Sequence, residues 1–220
     1  MSTGAWSIQH FVDRMFLTWY SPETVAASMP AGMLNFVATS LFIGTASYVG
    51  TFVAQYYGAG EHQRIGAVMW QGLYVALMGG VLIASLIPFA GIFFSFVGHE
   101  PVIRDHETVY FRILCLGAIP AITTAALSGF FSGRGRTWPV MWADLAATGV
   151  NVILDYILIF GKFGLPELGI AGAAIATVIS GVVASSILFT LMAVPMRNRV
   201  FAVSTGWRFD PALFRRLMRF

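Results

Sequence analysis

Charge is what this sequence has least of. Asp, Glu, Lys and Arg make up 10% of its 220 residues, where a soluble domain carries about 25%. A solvated globule is excluded by that alone. Lysine occurs once, as Lys162, so the excess of 13 basic over 10 acidic residues is carried by arginine. No basic run interleaved with aromatics occurs, and a nucleic-acid surface is not expected. Cysteine also occurs once: Cys115 sits in an apolar stretch and reads as core packing, since one thiol forms neither an intramolecular disulfide nor a cysteine-based metal site. The four histidines share no metal-ligand spacing, and GxSxG, HExxH and P-loop patterns are missing, so no catalysis is expected. The N-terminus lacks the basic start of a signal peptide and carries Gln9, His10, Asp13 and Arg14 within its hydrophobic pattern.

What is present is apolar. The AVILMFWYC set supplies 57% of the chain and the mean hydropathy is +0.76. Because a hydrocarbon core of ~30 Å needs about 20 apolar residues per helix, the chain has room for about six spans. They are expected at about 4–20, 33–57, 66–95, 108–132, 139–160 and 168–194. Pro88 should kink or end the third, Pro120 lies inside the fourth, and Pro139 suits the first turn of the fifth with Thr137 as its cap. Unbroken apolar runs exclude the alternation of a transmembrane barrel. The expected fold class is all-α, a polytopic six-helix membrane bundle.

Arginine sets the orientation. If the first span leaves the cytoplasm, the inside segments hold Arg64, Arg134, Arg136, Arg197, Arg199, Arg208, Arg215, Arg216 and Arg219. The outside segments hold Arg104 and Lys162, with Arg112 near the start of its span and Arg14 within the first. Both termini are then cytoplasmic. In the tail, 197–220, Leu213, Leu217 and Phe220 fall on one helical face and Arg215, Arg216 and Arg219 largely elsewhere. That suits an interfacial amphipathic helix on membrane lipid, or a plain basic linker.

Ionisable residues inside the spans carry most of the information, because a carboxylate at mid-bilayer costs at least ~2.5 kcal/mol unless it is paired, hydrated or protonated. Asn151 and Asp155 lie four apart and stack on one helical face. Asp144 precedes them by close to whole numbers of turns, which extends a polar stripe toward the cytoplasm. An Asp on such a stripe can exchange a proton or small cation with conformation; a structural hydrogen-bond network is the alternative. Asp13 is the other acid within a span. Its neighbour Arg14 points about 100° away, and His10 lies three residues before it on one face. Gly129 and Gly133 form a GxxxG, at best a packing site.

Several stretches together resemble the multidrug and toxic compound extrusion (MATE) family of cation-coupled antiporters. The longest runs from Gly133 to Thr177, GRGRTWPVMWADLAATGVNVILDYILIFGKFGLPELGIAGAAIAT. It is similar to the family's fifth and sixth helices, with a GRTWPVM entry, NVILD, an IFG exit and then LGIAGAAIAT. GTASYVGTFVAQYYGAGEHQRIG resembles the second helix, and FVDRMFL the first, with Asp13 at the family's acidic position. The resemblance implies a cation or proton site in the N-terminal lobe formed by Asp13, Asn151, Asp155 and Thr177. It implies no cofactor beyond a coupling ion, H⁺ or Na⁺, and no metal beyond Na⁺ at that site. It also implies an amphipathic, often cationic drug-like substrate, held where Met and aromatic side chains offer an apolar pocket, and placement in the cell (inner) membrane. The family has two six-helix lobes, so this chain is expected to correspond to the first, opening partway into its first helix and stopping in the linker. Its partner would be a second lobe, supplied by a C-terminal half or by self-association. A lipid-linked oligosaccharide flippase of the same superfamily and a non-transporting membrane subunit are the alternatives.

Overall fold

The computed structural model of the chain describes residues 3–194 and 199–218, the side chains of residues 3, 5 and 6 excepted. Every element among the described residues is helical: α1 Thr3–Tyr20, α2 Pro22–Ser47, α3 Val49–Gly58, α4 Arg64–Ala84, a 3₁₀ turn Ile87–Phe89, α5 Ala90–Ser95, α6 Pro101–Leu116, α7 Ala118–Ser132, α8 Trp138–Ile159, α9 Ile170–Ala193 and α10 Pro211–Leu217. Phe220 and Arg219, expected on the tail helix, and Arg197 lie outside the described residues.

Local chemistry moves several helix starts away from the expected positions. The second span was expected from residue 33, yet its helix starts at Pro22. Ser21 Oγ accepts the Thr24 N–H at 3.2 Å, and Pro22 takes a first-turn place that needs no donor. The polar side chains that disguised this stretch bond back to the backbone, Thr24 Oγ1 to the Leu17 carbonyl at 3.1 Å and Ser28 Oγ to that of Val25 at 2.9 Å. With α3 the run Pro22–Gly58 is 37 residues long. The fourth span was expected from residue 108; its helix begins at Pro101, and α6 and α7 meet at Gly117 with a bend of 44°. Thr137 stands at the N-cap of α8 but its side chain makes no capping hydrogen bond, a correction to the expected cap. Pro88 ends the long α4 run in the 3₁₀ turn.

Among the described residues four helical runs are long and apolar enough to cross a membrane, five if the bent α6–α7 pair counts as one span, and α1 is not one of these. Its Gln9, His10, Asp13 and Arg14 lower its hydropathy. Those four residues line an open cavity between α1 and its neighbours, with His10 and Arg14 exposed.

The helices close on one another through small residues, as membrane bundles do. α8 packs along α9, α4 along α7 and α2 along α6. The GxxxG of α7 has a defined partner: a Cβ on Gly129 would sit 2.7 Å from the Gly50 nitrogen, and one on Gly133 2.5 Å from the Gly50 oxygen. Next in α7, Phe130 and Phe131 are fully buried, as are Phe94 and Phe111, which pack on each other where α5 meets α6. Cys115 is buried too, its Sγ 3.9 Å from the Asn35 amide nitrogen.

Beyond α9 the chain returns across the bundle's end. Phe201 and Val203 are buried, and three side chains of α4 hold the returning backbone. Trp70 Nε1 donates to the Val203 carbonyl at 2.7 Å, Gln71 Nε2 to that of Arg208 at 3.3 Å, and the Tyr74 hydroxyl to that of Trp207. Gly66 and Gly206 let the two backbones touch. Arg134 lies over the rings of Phe130 (3.8 Å) and Phe201 (4.6 Å). α10 follows, capped by Asp210, with Leu217 buried and the Arg216 guanidinium 4.9 Å from the centre of the Phe52 ring.

Candidate functional site

α1 and α8 lie side by side in a register fixed by aromatic contacts. Phe16 packs on Tyr156 and Phe160, with ring centres 6.1 and 6.0 Å apart, and Tyr20 on Phe160 at 6.2 Å. One turn before Phe16, this register sets Asp13 against the polar stripe of α8. With its amide oriented to satisfy its surroundings, Asn151 donates to Asp13 Oδ1 at 3.0 Å and to Asp155 Oδ2 at 3.3 Å. The two carboxyl groups also lie within hydrogen-bonding reach of each other. Asn151 and Asp155 are completely buried, and Asp13 nearly so.

α9 supplies the fourth expected residue. It runs antiparallel to α8 and approaches so closely at Gly172 that a Cβ there would sit 2.7 Å from the Leu158 carbonyl carbon. Five residues further along α9, Thr177 lines the cavity beside α1. Its hydroxyl and Asp155 Oδ1 are both buried without a hydrogen-bond partner. Asp13, Asn151 and Asp155 are therefore joined directly, while the Thr177 hydroxyl makes no hydrogen bond to them. Two carboxyls in contact cannot both be bare anions at low cost; a shared proton or an interposed cation relieves the repulsion. Unpartnered buried oxygens are acceptors suited to either.

Next to this cluster is a cavity of about 780 Å³, lined by residues from α1, α2, α6, α7, α8 and α9. That volume is in the range of small-molecule pockets. Asp13, Arg14, Asp144, Thr148 and Thr177 face it, with Met29, Met33 and Phe36 on α2. Asn151 and Asp155 do not line it, so the expected stripe is divided: its outer part is sealed and Asp144 opens onto the cavity.

Sequence reasoning missed two buried groups. Tyr110, on α6, lines the same cavity and packs near Gly32. Glu107, completely buried, meets His99 Nδ1 at 2.7 Å, with its other oxygen unpartnered. The long apolar span was expected to begin just past Glu107, so this acid drew no attention.

The family described as MatE matches residues 5–157. A "Probable multidrug resistance protein NorM" from Bradyrhizobium diazoefficiens is 32% identical over 200 residues, 89% of this chain and 42% of the relative. One of the same name from Thermotoga maritima is 28% identical over 177 residues, 80% of this chain and 38% of the relative. Among solved structures, an outward-facing multidrug resistance MATE family transporter of the MOP superfamily superimposes with a TM-score of 0.84 over 98% of this chain and 47% of its own. At 22% identity that likeness speaks for the fold. The chain spans less than half the length of these proteins.

Proposed function

The chain belongs to the MatE family and covers an N-terminal lobe of it, and from that premise we propose that it serves cation-coupled export of amphipathic, often cationic small molecules. The observation that carries this reading is the Asn151 bridge between Asp13 and Asp155 beside a drug-sized cavity. Asp13 belongs to both, as a member of the buried cluster and as part of the cavity wall, so what occupies the cluster acts on what the cavity holds.

The cycle follows from electrostatics. With a proton or Na⁺ on Asp13, Asn151, Asp155 and Thr177, the repulsion between the carboxyls is relieved and α1 packs against α8. Without it, two charges in a medium poor in water repel strongly, and α1 loosens from that contact. Entry of the ion from the outer side therefore reshapes the cavity wall and favours substrate release. Alternating access requires this lobe to rock against a second one, which is the partner we propose. Lobe and partner sit in the cell membrane with the arginine-rich ends inside. The multidrug-resistance names of the relatives weigh for drug export over oligosaccharide flipping.

The test is an efflux assay on the protein expressed from its native reading frame. Asp155→Asn keeps a polar group of the same size but cannot carry the charge cycle, and ion-driven drug efflux should fall to background. Efflux at the wild-type level would overturn the proposal.

A further inference from the structure

The tail turns its leucines inward and its aromatic rings outward. Leu217 is buried in the bundle and Leu213 packs against the core, so the apolar face of α10 meets protein. Trp207 and Phe209, just before it, are 58% and 55% exposed. Gln71 and Tyr74 hold the backbone between them, and the Phe209 ring lies 5.7 Å from that of Tyr74. These rings continue a strip of α4 that already faces outward: Tyr74, Leu77 and Val81 share one helical face, and the latter two are more than half exposed. Among the described residues, none of α4 or of 199–218 lines the cavity of about 780 Å³. A second lobe that shares that cavity meets other helices, which leaves the α4 flank to lipid. Aliphatic side chains followed toward the cytoplasmic end by exposed aromatics match the change in depth from acyl chain to headgroup.

Charge fits the same surface. Residues 199–218 carry Arg199, Arg208, Arg215 and Arg216 against Asp210. Arg216 lies over Phe52 and Asp210 caps α10. Arg208 and Arg215 are exposed and, among the described residues, pair with no carboxylate. We propose that residues 207–215 anchor the chain to anionic phospholipid of the cytoplasmic leaflet, with the Trp207 and Phe209 rings at headgroup depth and Arg208 and Arg215 on lipid phosphates. The partner is the leaflet rather than a free anion, because the rings need acyl chains beside the charge. From the proposed function this takes only the placement of the arginine-rich end inside, and it is independent of the ion site.

Hydrogen exchange reads the segment itself, in the protein expressed from its native reading frame and held in nanodiscs of phosphatidylcholine, alone or mixed with phosphatidylglycerol. Exchange of residues 205–218 should be about fivefold slower in the mixed lipid, the effect of roughly one arginine at an anionic surface, and added salt should shrink the difference. Arg208→Gln with Arg215→Gln should abolish it, Arg208→Lys with Arg215→Lys should keep it, and Trp207→Ala should reduce it. Equal exchange in the two lipids, or a difference that survives the double glutamine variant, would overturn the proposal. So would inorganic phosphate that reproduces the slowing in phosphatidylcholine, since the site would then serve a free anion. The Asp155→Asn efflux assay decides the ion-site reading separately, and its failure leaves this comparison standing.

Discussion

Asn151 donates its amide nitrogen to Asp13 Oδ1 at 3.0 Å, across the contact between α8 and α1. A donor is needed there because both neighbours are acids. Asn151→Leu removes it and leaves two buried carboxyl groups facing an apolar side chain, at a cost of about 1–3 kcal/mol. The thermal midpoint in detergent should drop by several degrees, and ions should no longer shift it. A midpoint equal to the wild type's would show that the bridge contributes nothing.

Gly129 on α7 has no room for a methyl group, because the Gly50 backbone is already there. Gly129→Ala should destabilise the bundle by about 1–3 kcal/mol through overpacking. Gly149→Ala is the matched control: it lies on an exposed face of α8 with nothing within 4 Å of an added Cβ, and should be neutral or slightly stabilising. Equal unfolding midpoints for the two variants would contradict this account of the α3–α7 contact.

The segment returning over α4 is held by side-chain donors reaching backbone carbonyls. Trp70→Phe and Tyr74→Phe each delete one of them, worth about 1 kcal/mol. Hydrogen exchange of residues 201–209 should quicken about fivefold in each variant, while that of α9 stays unchanged. Uniform quickening along the chain would point to general destabilisation and against a local dock.

At the end of the bundle that holds Lys162, the exposed His99 pairs with the completely buried Glu107. His99→Ala orphans a completely buried carboxyl group and should lower stability by about 2 kcal/mol or more. Adding Glu107→Met should recover much of that, since an apolar side chain there needs no partner. Thermal unfolding of the single and double variants reads the difference; a double variant less stable than the single would refute it.

Part of this molecule could be read directly from residue order. The spacing of Asp144, Asn151 and Asp155 already put them on one face of one helix, because helical periodicity is local. Apolar run lengths likewise dictated a helical membrane bundle, since lipid leaves the backbone no other way to satisfy its hydrogen bonds. The start of α2 was less legible: Thr24 and Ser28 precede the expected span, and only their bonds to Ser21 and to the backbone show them to be helical. Gly129 and Gly133 were ambiguous for the same reason, because their meaning is supplied by Gly50 on another helix.

Tertiary structure alone decided that Asp13 meets Asn151 and Asp155, since 138 residues separate Asp13 from Asn151 in the chain and only the packing of Phe16 and Tyr20 on α8 sets their register. It also divided one polar stripe in two. Sequence placed Asp144 and Asp155 on the same face of α8; the approach of α1 and α9 sealed Asp155 in the cluster and left Asp144 on the cavity wall.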